Sequence, residues 1–156
     1  THTYAMSLLA EIANRLGYFD DAEFLLQKAV EFEPESGDLR LQYASILRKK
    51  QKFEKTMEQV NILCSQFPDN QNYQAQKASE VMQNGDHEAA IKIIEEIQKK
   101  NPYNFSVLTS KGHAQKTLGK TKEAISSYRS AYQIKPDHGE AFFSLANLMT
   151  YKFSDA

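Results

Sequence analysis

The sequence has no tryptophan, a single cysteine and no long apolar run. The lone Cys64 excludes an internal disulfide, and this composition favours a reducing compartment, so we predict a cytoplasmic protein. No stretch approaches the ~18 consecutive apolar residues of a membrane helix. The 19 basic and 20 acidic residues nearly cancel, so no strong charge of one sign steers the chain to other molecules. We therefore predict neither a nucleic-acid nor a membrane partner.

Proline is also scarce, and its positions are periodic. The four prolines, Pro34, Pro68, Pro102 and Pro136, lie 34 residues apart. Two further columns keep this spacing: a small residue at Ala10, Ala44, Ala78, Gly112 and Ala146, and a larger apolar residue at Leu26, Val60, Ile94 and Tyr128. A fixed period of this length is the sequence signature of a repeat solenoid.

These columns resemble the tetratricopeptide repeat, which has a small residue in its first helix and a closing proline. An Ala-x-x-x-aromatic step such as Ala124 to Tyr128 belongs to the same pattern. The resemblance implies an all-α fold, a right-handed α-α superhelix (solenoid) of about four and a half 34-residue helix-turn-helix repeats. We place the repeats at residues 3–36, 37–70, 71–104, 105–138 and, in part, 139–156, in a fragment of a longer bacterial protein.

The first unit predicts helices over about 3–16 and 20–33. Its apolar stripe comprises Ala5, Leu9, Ile12, Ala13 and Leu16. Gly17 is expected to end the first helix in left-handed geometry, and Gly85 and Gly119 repeat that stop. Asp20, with Glu23 three residues later, is expected to form a capping box at the second helix.

The fifth unit is incomplete in the sequence. We expect one helix over about 139–151, then a shortened turn before Phe153. Because a terminal repeat normally presents a polar face, bare apolar surface here is expected to favour a homodimer through this uncapped C-terminal repeat.

No constellation in the sequence carries catalytic, cofactor or metal chemistry. Gly119-Lys120-Thr121 resembles the tail of a phosphate-binding loop, but the required earlier glycine is Ala114. The four histidines show no pairing at metal-ligand spacing. We predict no catalytic residue, no cofactor and no metal.

One basic run stands out: Arg48, Lys49, Lys50, Lys52 and Lys55. It favours a solvated helix end, with an anion or peptide contact as the alternative. Phe53, inside the run, shares a column with Phe19, and we expect it to be a core residue.

In tetratricopeptide domains the first helices line a concave groove that holds a peptide or a partner helix, and the resemblance implies the same here. The expected lining residues are Tyr4, Glu11, Asn14, Leu41, Ser45, Arg48, Met82, Thr109, His113, Lys116, Phe143 and Asn147. Arg48 and Lys116 would suit a carboxylate. The alternative is that these are ordinary exposed helix residues.

Two functions follow. The first is a non-catalytic scaffold for protein interaction. The second rests on residues 139–156, which look like the last repeat of bacterial proteins that join such repeats to a sulfotransferase domain. In that case the catalytic domain would lie beyond Ala156.

Overall fold

The computed structural model describes the backbone of residues 2–154 and the side chains of residues 2–148. Every regular element in this part of the chain is an α-helix, as the repeat pattern predicts. The helices are α1 (His2–Arg15), α2 (Phe19–Phe32), α3 (Gly37–Lys49), α4 (Phe53–Gln66), α5 (Gln71–Gln83), α6 (His87–Lys100), α7 (Phe105–Thr117), α8 (Thr121–Ile134) and α9 (Gly139–Ser154). None of them is long and apolar enough to cross a bilayer, within the described residues.

The turn inside each helix pair uses left-handed backbone geometry. Gly17, Gly85 and Gly119 have φ of 83°, 90° and 73°, which confirms them as helix stops. In the second pair the same place is Gln51, at φ 58°. The turn geometry is therefore kept even where a side chain makes it less favourable.

The prolines follow the ends of the second helices. The residue before each proline, at Glu33, Phe67, Asn101 and Lys135, is the C-cap and leaves helical geometry. This is the conformation that a following proline imposes on its neighbour. The expectation that proline closes each second helix is confirmed.

Helix N-termini differ from the expectation. Asp20 and Glu23 form no capping box, because α2 already begins at Phe19 after Tyr18, which provides no side-chain cap. The first helices carry the caps instead: Ser36 accepts from the Leu39 amide at 3.5 Å, and Asn104 accepts from the Val107 amide at 3.2 Å. These capping residues lie two residues after a proline, a column that the sequence analysis missed.

The chain falls into two compact units, within residues 1–73 and 74–156. Unit 1 contains α1 to α4. Its main core is built from apolar side chains of the first three helices: Ala10, Ala13, Ala22, Leu26, Ala29, Val30, Leu39, Tyr43, Ile46 and Leu47. The second pair has a smaller cluster of Ala44, Val60 and Cys64. The Cys64 thiol is buried and contacts the Tyr73 carbonyl oxygen at 3.4 Å, as expected for a packed thiol.

Unit 2 contains most of α5 and all of α6 to α9. One of its clusters joins Ala78, Ile94, Ile97 and Val107, and another joins Leu108, Ala131 and Ala141. Tyr128 is fully buried, at 0 % exposure. It packs so closely on Gly112 that a Cβ there would lie 2.5 Å from the Tyr128 ring. The small-residue column therefore marks close helix approach, as predicted.

Three expectations about apolar residues are wrong. Leu9, Ile12 and Leu16 are 54 to 65 % exposed, so this part of the α1 stripe is not core. Phe53 is 44 % exposed, because it lies at the first position of α4, at the edge of the helix pair. Finally, α9 continues through Tyr151 to Ser154 with no turn before Phe153, since neither glycine nor proline interrupts it after Gly139.

Candidate peptide-binding surface

In unit 1, α1 and α3 present a polar face each, and two hydrogen bonds join them. The Ser7 hydroxyl donates to Gln42 Oε1 at 2.9 Å, and the Lys49 ammonium donates to Asn14 Oδ1 at 2.7 Å. Ser7 and Asn14 are seven residues apart on α1, as are Gln42 and Lys49 on α3. That spacing places each pair on one helical face, so the two bonds hold the helices together about two turns apart.

A cleft of about 270 Å³ opens between these two bonds. Its lining residues are Ala10, Glu11, Asn14, Leu26, Gln42, Ser45 and Ile46. The floor is apolar, because Ala10, Leu26 and Ile46 are all buried at 1 to 3 % exposure. Clefts for drug-sized molecules typically measure about 300–1,000 Å³, so this volume suits one or two side chains of a polypeptide.

Polar groups form the rim of the cleft. Glu11 is the one charged residue among the described residues that line it, and it pairs with Arg15 one turn later on α1. Asn14, Gln42 and Ser45 add amide and hydroxyl groups, which can pair with the backbone N–H and C=O of a bound segment. The cleft therefore combines apolar burial with hydrogen-bonding groups at its edge.

Three predicted groove residues of unit 1, Glu11, Asn14 and Ser45, come together in this cleft. Tyr4, Leu41 and Arg48 are not among its lining residues. Tyr4 is 66 % exposed on the first turn of α1, and Leu41 and Arg48 are half-buried. Gln42 was missing from the predicted lining, although its position three residues before Ser45 puts it on the same face of α3.

The basic run does not form an open patch. The Lys50 ammonium binds both Asp20 and Glu23, and the Lys52 ammonium lies 2.7 Å from both carboxylate oxygens of Glu23. The Lys49 ammonium is held by Asn14 and lies 5.9 Å from the centre of the Phe19 ring. The expectation of a solvated helix end is therefore wrong for these three lysines, which tie α1 and α2 to α3 and the turn after it.

The carboxylates of this cluster titrate below their ordinary range. The hydrogen bond from Lys50 lowers the pKa of Asp20. Burial acts to raise the pKa of Glu23, but hydrogen bonds from Lys50 and Lys52 outweigh burial and lower it. Hydrogen bonds to Asp20 and Glu23 in turn raise the pKa of Lys50. All three groups stay charged at neutral pH, so the cluster is a permanent fastening.

In unit 2, two predicted groove residues have other roles. Thr109 is 2 % exposed, and its hydroxyl donates to the Phe105 carbonyl at 2.9 Å, because the face it occupies is covered by packing. The His113 ring contacts the Tyr128 hydroxyl at 2.9 Å through Nδ1 and a Glu140 oxygen at 3.1 Å through Nε2. His113 therefore links α7 to both α8 and α9.

The remaining predicted residues of unit 2 stay accessible to different degrees. Lys116 and Asn147 are exposed, Phe143 is 68 % exposed, and Met82 is half-buried on α5. No cleft found in unit 2 brings these four side chains together, within the described residues. They are separate exposed positions on α5, α7 and α9.

The helix pairs and their closing prolines agree with a known sequence family. The family model for the tetratricopeptide repeat matches residues 3–36 and 105–138, which are the first and fourth predicted units. The chain contains tetratricopeptide repeats. Among curated proteins, none is significantly similar to the chain.

Solved structures of MamA share the fold. A crystal structure of MamA protein superposes with a TM-score of 0.78 at 16 % identity, covering 97 % of this chain and 82 % of that one. A double mutant of MamA RS-1 gives 0.76 at 13 % identity, covering 99 % and 97 %. MamA AMB-1 gives 0.73 at 21 % identity, covering 92 % and 85 %. At these identities the likeness shows the fold alone, and it confirms the predicted fold class. None of these structures is a sulfotransferase, so that resemblance gains no support.

Proposed function

We propose that this protein is a non-catalytic interaction scaffold whose α1–α3 cleft binds a segment of a partner protein. The observation that carries the proposal is the cleft itself, in which a buried apolar floor lies under a rim of amide, hydroxyl and carboxylate groups. An apolar side chain of the partner would enter over Ala10 and Ile46. The partner backbone would pair with the rim.

The tetratricopeptide repeats support a protein partner, because stacked helix pairs offer extended surfaces of first helices. The groove residues Tyr4, Leu41, Arg48, Met82, Lys116, Phe143 and Asn147 belong to the proposal as outer contacts. Thr109 does not, because it is buried.

Self-association is a separate part of the proposal. Phe142 and Phe143 of α9 are 50 % and 68 % exposed, and their rings lie 6.0 Å apart. Such a pair is a candidate contact for a second copy of the chain. Sedimentation equilibrium of the Phe143→Ser variant would show a lower average mass than wild type if this contact forms the dimer, and an unchanged mass would exclude it.

A blocked-cleft variant tests the binding proposal. Peptides selected from a random displayed library on the wild-type protein would be measured against Ser45→Trp, which fills the cleft, and against Ser65→Trp, which adds the same side chain at an exposed position on α4. We expect the first variant to lose at least about tenfold in affinity, or about 1.4 kcal/mol, and the second to bind like wild type. Equal binding by all three proteins would rule out the cleft.

A further inference from the structure

A buried arginine closes one end of unit 1 from within. Arg40, on α3, is 6 % exposed. Its Nη2 donates to the Pro34 carbonyl oxygen at 2.7 Å and its Nη1 to Gln59 Oε1 at 2.8 Å. Gln66 Nε2 also donates to the Pro34 carbonyl, at 3.1 Å. The carbonyl beside this closing proline therefore receives two side-chain donors.

Unit 2 lacks both donors at the matching positions. Two repeat periods after Arg40 and Gln66, the chain has Leu108 and Ile134, and Pro102 stands in the place of Pro34. Neither Leu108 nor Ile134 can donate a hydrogen bond, and among the described residues no hydrogen bond to the Pro102 carbonyl is found. The replacement removes the guanidinium and keeps the apolar surroundings.

The space that Arg40 fills in unit 1 is an open cleft in unit 2. Its volume is about 750 Å³, against about 270 Å³ for the α1–α3 cleft. It is lined by Gln98, Pro102, Tyr103, Leu108, Ser130, Gln133 and Ile134. The floor is apolar through Leu108, which is 7 % exposed, and the Tyr103 ring at its edge is 76 % exposed.

The lining has the chemistry that Arg40 meets in unit 1. The Pro102 carbonyl, the Ser130 hydroxyl and the Gln133 side-chain oxygen accept hydrogen bonds, and a guanidinium offers five donors in a planar fork. The aliphatic part of such a side chain would pack on Leu108 and Ile134.

Nearby charges leave room for a cation. Lys111 is engaged with Glu95 at 3.0 Å, and the Lys135 ammonium lies 4.8 Å from the centre of the Phe105 ring. The exposed face of Tyr103 adds a cation–π surface at the mouth.

We propose that the unit 2 cleft binds an arginine side chain presented by a partner protein, in the place that Arg40 fills from within in unit 1. This site is distinct from the α1–α3 cleft, and neither proposal depends on the other.

Titration with N-acetyl-arginine amide, followed by amide NMR of the isotope-labelled protein, tests the site. We expect saturable shifts at Gln98, Tyr103, Leu108 and Gln133. N-acetyl-lysine amide and N-acetyl-leucine amide should bind more weakly, because neither provides a planar fork of donors. Shifts of equal size with the leucine compound, or none with the arginine compound, would overturn the proposal.

Two variants sharpen the test. Leu108→Arg combined with Ile134→Gln recreates the unit 1 closure, so the arginine compound should no longer shift the cleft amides. Tyr103→Ala removes an exposed ring without threatening the fold and should weaken binding about two- to fivefold, the range of an exposed cation–π contact. Shifts that persist in the filled variant, or unchanged affinity in Tyr103→Ala, would contradict the assigned site.

Discussion

The two units of the chain solve the same packing problem with different residues. In unit 1, Ala44 of α3 clusters with Val60 of α4. In unit 2 the matching positions carry Gly112 and Tyr128, and the ring occupies the space that a methyl group would need. A smaller residue on one helix accompanies a larger one on its mate. The repeat therefore specifies the combined volume of a pair, and a column read alone does not show this.

The units also differ in what fastens their helices. Unit 1 uses permanent charges, with Lys50 and Lys52 on Asp20 and Glu23. Unit 2 uses a polar chain from Tyr128 through His113 to Glu140. Burial raises the pKa of Tyr128, so its hydroxyl stays protonated at neutral pH and can donate to His113. Both fastenings join neighbouring helix pairs, but only the charged one should respond strongly to acid.

The largest effect is expected from removing the large member of the unit 2 pair. Tyr128→Ala leaves a cavity in a fully buried site and cuts the hydrogen bond to His113, so it should lower the free energy of unfolding by about 3–5 kcal/mol. Tyr132→Ala, at a position 36 % exposed, is the control and should stay within about 0.5 kcal/mol of wild type. Urea denaturation measures both, and similar losses for the two variants would contradict the buried role of Tyr128.

A smaller effect is expected from overfilling either pair. Ala44→Leu and Gly112→Ala should each cost about 1–3 kcal/mol, because both helix contacts are already filled. For Gly112→Ala the clash with the ring must exceed the gain of up to about 1 kcal/mol in helix propensity.

A double-mutant cycle isolates the pairing. Gly112→Ala with Tyr128→Val recreates the unit 1 combination, so the double variant should lose less stability than the two single losses added together. Strict additivity would show that the two columns are independent and would remove the comparison between the units.

The smallest effect is expected in the pH dependence. Asp20 and Glu23 have lowered pKa values in the folded state, so they stabilise the fold at pH values above their ordinary range near 4. That contribution is lost as the pH falls through their folded-state pKa values. Lys50, whose pKa is raised, contributes below its ordinary value of about 10.5 and loses its contribution only at higher pH.

The variant Glu23→Gln isolates this contribution. Its midpoint of unfolding should fall less steeply than that of wild type between about pH 5 and pH 2. Glu58→Gln, on the exposed surface of α4, is the matched control and should follow wild type. Parallel curves for all three proteins would show that the lysine cluster does not stabilise unit 1.

Much of the fold follows from the spacing of a few residues. Pro34 and its repeats mark the helix ends because proline restricts the residue before it, whatever surrounds it. Gly17 marks a turn for an equally local reason. By contrast, Asp20 has the composition of a cap, but its carboxylate binds Lys50, which lies 30 residues away. A local pattern cannot show that a distant charge competes for the same group.

The candidate site was predicted in part. Glu11, Asn14 and Ser45 share a helical face and do line one cleft, whereas Thr109 belongs to the same column logic but is buried. Helical periodicity gives the direction of a side chain without saying what covers it. The unit 2 cleft was not predicted at all, because its cause is the absence of the Arg40 side chain from a repeated position.

Amide NMR mapping of a peptide selected on the wild-type protein tests the central claim most directly. If the α1–α3 cleft binds the partner, saturating peptide should shift the amides of Ala10, Glu11, Asn14, Gln42 and Ser45 together with one dissociation constant, and Ser45→Trp should abolish those shifts. Shifts confined to other surfaces, with these five amides unmoved, would contradict it.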